Sequence, residues 1–222
     1  MIFNFCPPTV IPDLVSETNS NGKRVYVTPE GKKYPSVTTV VGILKKQVIL
    51  DWRQRVGEEE ANRVSRIASS RGNGFHSLCE KYIQGNMPET STVDALELFY
   101  QVRPVIDRFV NNIWYQEQAL WSDKLQLAGR VDLIAEFRGV PSIIDFKTSR
   151  RIKKAEDIQD YFQQECAYAL MVEERTGIAV DQLVTIMACN ETNKPLIFIR
   201  KTENYIDGLV KTIQMYHESN RV

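Results

Sequence analysis

From Glu117 onward the hydrophobic pattern of the chain changes period, and this change limits most strongly what it can fold into. Three extended segments follow one another, QALWS at 118–122, LAGRVDLIAEF at 127–137 and PSIIDFK at 141–147, separated by Asp123-Lys124 and Arg138-Gly139. Aromatic and β-branched residues bounded by turn formers read as strands, so an antiparallel meander is expected. A helix from about Ala155 to Thr176 follows, stopped at Gly177, and then two strand-like runs, LVTIMAC and PLIFIRK. The last element is a helix from about Glu203 to the end, with Thr202 as its expected cap. The order of one helix, three strands, a helix, two strands and a helix predicts an α/β fold: a mixed sheet with helices on its faces.

Upstream, the chain opens irregularly, and Val25-Tyr26-Val27, a turn at Pro29-Glu30-Gly31 and an extended piece to Tyr34 predict a hairpin. Ser36 is placed to cap a short helix through VTTVVGILKK. Residues 51–114 read as helical. Asp51 is the expected cap of a helix carrying Trp52, and a longer helix from Glu58 to about Ile83 repeats Phe75, Leu78, Cys79, Tyr82 and Ile83 at helical spacing before Gly85. A further helix is expected from Thr92 to Trp114, with Leu96, Phe99, Val102, Ile106, Phe109 and Ile113 on one side and a kink at Pro104. With no internal repeat, residues 1–222 are expected to form one domain: a hairpin and short helix to residue 50, a helical region over 51–114, and a sheet core over 115–222.

Composition narrows the function. With 222 residues the chain can bury roughly 70% of its unfolded surface around one core. Its 28 Lys and Arg balance 28 Asp and Glu, which argues against a polybasic binder but leaves room for a local basic strip. No run of 18 apolar residues occurs, and the start has neither a secretory signal nor the Arg-rich character of a transit peptide, so a cytoplasmic protein without membrane contact is expected. The four cysteines lie far apart with no CxxC pair, which speaks against structural zinc or an iron-sulfur cluster.

The chemistry concentrates on the meander. Asp132 sits among apolar residues on one strand, and Asp145 and Lys147 close the next. Residues two apart share a face, so an acid and an ammonium stand together while Phe146 points into packing. On neighbouring strands Asp132 lies close to Asp145, and two partly buried carboxylates repel unless protonated or neutralised. A divalent cation such as Mg²⁺ or Mn²⁺ suits an oxygen-rich site of this kind. The competing reading is a surface salt bridge of little worth. Gln164 and Tyr168, four apart, share a face of the next helix, where they could contact a substrate backbone or hold Lys147. Tyr168 alone also reads as a core aromatic.

GRVDLIAEFRGVPSIIDFKTS followed by YFQQECAYAL resembles the PD-(D/E)xK nuclease superfamily, in particular its RecB-like exonuclease branch, where a Q-x-x-x-Y motif follows the D-x-K strand. RGNGFHSLCE, with His76 and Glu80, is similar to that branch's histidine-bearing helix, and YPSVTTVVGIL and LDWRQRVGEEEA are similar to the amino-terminal part of the mitochondrial genome maintenance exonuclease family and its phage-encoded relatives. The resemblance implies a PD-(D/E)xK core (αβββαβ), a metal held by His76, Asp132, Asp145 and the Phe146 carbonyl, Lys147 as catalytic lysine, and Gln164 and Tyr168 at the DNA. Taken without the resemblance, His76 on an apolar helix face reads as a hydrogen-bonded core residue. Glu117, at the start of the meander, could approach a second metal, but a strand-edge glutamate is ordinarily solvated and it is left out of the candidate site.

The basic run KTSRRIKK at 147–154 has five cations in eight positions, with Arg150 and Arg151 expected at phosphates; its alternative is a solvated loop. Arg63, Arg66 and Arg71 add cations on the helical region, and Trp52 could stack on bases. The resulting expectation is a metal-dependent DNA exonuclease acting on single-stranded ends in bacterial or phage DNA degradation, replication or recombination, in the bacterial or infected-host cytoplasm. The alternatives are a structure-selective endonuclease on the same fold and a non-catalytic DNA-binding recombination accessory.

Overall fold

Residues 3–19, 22–86 and 91–220 are described in a computed structural model. Near the amino terminus, β1 (Val15–Thr18), β2 (Arg24–Val27) and β3 (Lys33–Pro35) form an antiparallel three-stranded sheet. The expected hairpin is β2 and β3, with Gly31 at φ 79 in its turn, and β1 is an added strand. Ser36 caps α1 (Val37–Val41), accepting from the Thr39 N–H at 3.1 Å. The chain then passes through a single 3-10 turn into α2 (Lys46–Val56). Asp51 therefore lies inside α2 and caps nothing; it accepts instead from Gln47 one turn earlier, at 2.8 Å.

α3 (Glu58–Ile83) has the bounds its periodicity predicts, with three glutamates in its first turn at the positive end of the helix dipole. α4 (Val93–Phe109), capped by Thr92, runs through Pro104 but stops five residues before Trp114. The expected helix over 110–114 is instead the start of β4 (Val110–Ser122). Asn112, at φ 41, breaks the helical path, and Val110 and Asn111 pair with Phe137 and Glu136. The first strand of the meander thus begins seven residues ahead of Glu117.

β5 (Leu127–Phe137) and β6 (Val140–Ser149) complete the meander, and α5 (Gln159–Thr176), ended by Gly177 at φ 73, crosses to β7 (Gln182–Cys189). β8 (Leu196–Lys201) closes a five-stranded sheet ordered β4-β5-β6-β7-β8, antiparallel except for β6 with β7. α6 (Ile206–Glu218) follows a 3-10 turn that contains Thr202. Thr202 is no cap: it is buried, and its hydroxyl donates to the Val180 carbonyl at 2.8 Å. The end of the final helix as expected, residues 221–222, lies outside the described residues.

Alternate strand residues feed two cores. Leu133, Ile144, Phe146 and Val184 pack with Phe75 of α3 and Phe99 of α4. Ile134, Ile143 and Leu183 pack with Val40 of α1, Met171 of α5 and Leu209 of α6. Helices thus cover both faces of the sheet. Among the described residues no helix is long and apolar enough to cross a membrane.

Candidate active site

β5 and β6 pair only from Leu133↔Ile144 to Phe137↔Val140. Before Leu133, β5 stays with β4; beyond Ile144, β6 stays with β7, from Asp145↔Thr185 to Ser149↔Cys189. The sheet therefore forks, and Asp132 and Asp145 stand at the apex, each the first residue past the last pair. A regular ladder would aim the Phe146 N–H at a β5 carbonyl. In the fork, Asp132 Oδ2 accepts it instead, at 2.9 Å.

Asp145 and Lys147 share the α5 face of β6, as alternation predicts, and form an ion pair. Asp145 is 2% exposed, so this is no surface salt bridge. Gln164 of α5 donates from Nε2 to Asp145 Oδ1 at 2.8 Å, a buried bond. Gln164 therefore holds the aspartate rather than Lys147. Phe146 faces the other way, its ring meeting Phe75 edge to face with centroids 6.5 Å apart. His76, the next residue on α3, is thereby brought to the fork, where its Nδ1 lies 3.2 Å from Asp132 Oδ2.

The two carboxylates are pushed apart in acidity. Burial raises Asp145 to about 6, opposed by Lys147 and reinforced by the Asp132 charge. Burial acts the same way on Asp132, but His76, Lys147 and the Phe146 N–H outweigh it and hold Asp132 below the usual carboxylate range. Burial would lower Lys147, but Asp145 and Asp132 more than offset it, so the ammonium stays charged. His76 is likewise raised, the Asp132 carboxylate outweighing burial.

Tyr168 is buried at 2% exposure against Gly129 of β5, where a Cβ would stand 2.8 Å from its hydroxyl. This burial fits its reading as a core aromatic, while Gln164, one turn earlier on α5, holds Asp145. Two further residues of α5 escaped the sequence reading. Tyr161, three residues before Gln164, receives Lys147 Nζ over its ring at 5.1 Å and Lys45 Nζ at 4.4 Å. Glu165 is fully buried, accepts from the Thr185 hydroxyl, and is raised well above the usual carboxylate range by burial and then by Asp145. Helical spacing from Gln164 was the signal for Tyr161, and adjacency for Glu165.

Glu117 borders the fork. It lies on β4 at φ 48, a left-handed conformation uncommon outside glycine, and its neighbours Gln116 and Gln118 pair with Leu133 and Val131 on either side of Asp132. Burial first, then the charges of Asp132 and Glu80, raise its carboxyl to about 7. Arg150 and Arg151 are exposed on the loop after β6, where Ser149 holds the Arg151 backbone and Glu191 accepts the Ile152 N–H at 2.9 Å.

Among the described residues no three His, Cys, Asp or Glu groups already stand as a ligand cage. The donor chemistry nevertheless suits a divalent cation. Asp145 Oδ2 has no hydrogen bond and meets only the Lys147 ammonium, and two carboxylates and an imidazole converge on the fork. The N–H and C=O of an extended residue point to the same strand edge, so the Phe146 carbonyl faces the fork together with its N–H.

Residues 95–195, just under half of the chain, match the PD-(D/E)XK nuclease superfamily profile; the stretch includes Asp132, Asp145, Lys147, Gln164 and Tyr168 but not His76. No curated protein matches the chain. Solved structures that match include a "Putative exonuclease" from Eubacterium rectale, at 14% identity over 67% of this chain and 65% of that one, TM-score 0.44. Another is SSO0001, at 13% identity over 84% of this chain and 76% of that one, TM-score 0.43. The chain spans just under two thirds of the first of these structures, and at such scores the likeness says nothing about activity.

Proposed function

We propose that the chain is a metal-dependent deoxyribonuclease that hydrolyses phosphodiester bonds, working as an exonuclease on single-stranded ends. The observation that carries this reading is the fork, where a buried Asp145–Lys147 ion pair, Asp132 and His76 meet at the end of two diverging strands. The match of residues 95–195 to a nuclease superfamily supports it. His76, Asp132, Asp145 and the Phe146 carbonyl would hold Mg²⁺ or Mn²⁺, which when bound supplies Lewis-acid stabilisation of charge on the phosphoryl oxygens.

The residues of the chain divide the remaining work. Lys147, ion-paired to Asp145 in the fork, acts as a cation and donor toward the attacked phosphate and the incoming water. Gln164 fixes one oxygen of Asp145 and leaves the other free to turn from Lys147 to a ligand. The Phe146 N–H and His76 orient Asp132.

The test uses end-labelled single- and double-stranded linear DNA and a closed single-stranded circle, with Mg²⁺, Mn²⁺ or EDTA. Stepwise release from the labelled ends of single strands with an intact circle is expected. Cutting of the circle would make the protein an endonuclease, and intact DNA under every condition would leave only a binding role.

A further inference from the structure

Most arginines of the helical region are already engaged. Arg63 grips Glu60 through two bonds of 2.7 Å, and Arg53 donates to Asn62 at 2.7 Å. Arg71 differs. Its Nη1 donates to Asn190 Oδ1 at 3.2 Å, while its Nε is buried with no hydrogen-bond partner. Asn190, just past β7, in turn donates its backbone N–H to the Ser149 carbonyl at 3.1 Å, the residue before Arg150. Gln101 of α4 clamps the adjoining Cys189 through both its N–H and its carbonyl, at 3.0 and 3.1 Å. The end of β7 is thus a fixed post that brings Arg71 of α3 and Arg150 of the β6 loop to one place.

The two guanidiniums repel each other. Burial, then the charge of Arg150, lowers Arg71, and Asp94 only partly opposes this. Among the described residues neither cation has a carboxylate within ion-pair distance, and Glu60, which senses Arg150, is already held by Arg63. Like charges held together by a rigid frame, with a buried donor unmet, favour an anion between them, and guanidiniums bind phosphate oxygens through paired N–H bonds. The place also fits. Arg150 is three residues past Lys147, about 10 Å of extended chain, and Arg71 lies on α3, the helix that also carries His76.

We propose that Arg71 and Arg150 together form a site for one backbone phosphate of a nucleic-acid strand, the phosphate neighbouring the one that meets Asp132, Asp145 and Lys147. The site rests on the nuclease reading for its strand but not for its chemistry. It grips the strand beside the bond that is cut, and it explains why the loop after β6 is tied down rather than free.

The test measures binding of a fluorescent single-stranded oligonucleotide to the whole protein in EDTA, where no cleavage intervenes, for Arg71→Gln, Arg150→Gln, the double variant and Lys211→Gln. Arg150 is exposed, so its variant folds as the parent does, and thermal unfolding checks the Arg71 variant. About tenfold weaker binding is expected for each single variant, and for the double variant a loss well short of the product of the two, because both hold one phosphate. Lys211→Gln, at an exposed position of α6, is expected to bind as the parent. Single variants within twofold of the parent, or losses that multiply as for independent contacts, would overturn the site. A wild type that binds in this pattern yet cuts nothing would retain the site and reject the nuclease, whereas one that cuts while the variants bind normally would do the reverse.

Discussion

The Phe146 N–H donates to Asp132 Oδ2 at 2.9 Å across the gap where β5 and β6 part. One carboxylate thus takes the place of a sheet carbonyl and ties the two motif strands together at the point where their ladder stops. Asp132 is therefore both a strut of the fold and a member of the site.

The two roles separate by substitution. Asp132→Asn keeps an acceptor for Phe146, so in EDTA it should unfold in urea close to the parent, while Asp132→Ala leaves a buried N–H unpaired and loses a further ~1–3 kcal/mol. Both should be inactive. Equal stability of the two variants would show that the Phe146 bond contributes little.

Among the described residues Gln164 alone donates a hydrogen bond to the buried Asp145 Oδ1. Gln164→Leu should cost ~1–3 kcal/mol in urea unfolding and lower the cleavage rate, because an unpaired carboxylate oxygen remains buried. Gln164→Glu should be worse at pH 8 than at pH 5, since it sets a second acid against Asp145.

Gly129 leaves room for Tyr168. In Gly129→Ala the new methyl would stand 2.8 Å from the tyrosine hydroxyl and 3.0 Å from Cε1, so a loss of ~1–3 kcal/mol is expected by urea denaturation. Adding Tyr168→Phe removes the closer contact and should restore part of the loss. No recovery in the double variant would mean that the backbone of β5, and not Tyr168, sets the limit.

Glu117 makes stability pH-dependent. Its folded-state carboxyl is raised from 4.5 to about 7, so the folded protein holds this proton more tightly than the unfolded chain. The contribution is fully present below 4.5 and is lost as pH rises through 7. Glu117→Gln should therefore match the parent near pH 5 and be more stable at pH 8 in EDTA, by on the order of 1–2 kcal/mol once solvent screening of this half-buried group is allowed for. A difference that does not change between the two pH values would contradict the assigned environment.

Much of this architecture was legible in the pattern of the chain, and the failures have physical causes. Alternation on β6 put Asp145 and Lys147 on one face and Phe146 on the other, as found. Four-residue spacing put Gln164 and Tyr168 on one face of α5. The helix expected to run to Trp114 failed because Ile113 continues the spacing of Phe109 by coincidence, while Asn112 turns left-handed and the chain joins β5. Thr202 looked like a cap, but its hydroxyl is taken by Val180, a partner far away in sequence. Glu117 was set aside because a strand-edge glutamate is ordinarily solvated; its positive φ and its place opposite Asp132 are tertiary facts. The fork itself depends on where two strands stop pairing, which no local pattern records.

The central claim is that the acids and the lysine of the fork cut DNA with a divalent ion. Its most direct test is single-turnover cleavage of an end-labelled single strand by the parent, Asp145→Asn and Lys147→Met, each shown to be folded by circular dichroism. Cleavage by the parent only with added Mg²⁺ or Mn²⁺, arrested by EDTA and slowed about a hundredfold or more in each variant, is the predicted result. Parent-like cleavage by either variant, or cleavage that persists in EDTA, would contradict it.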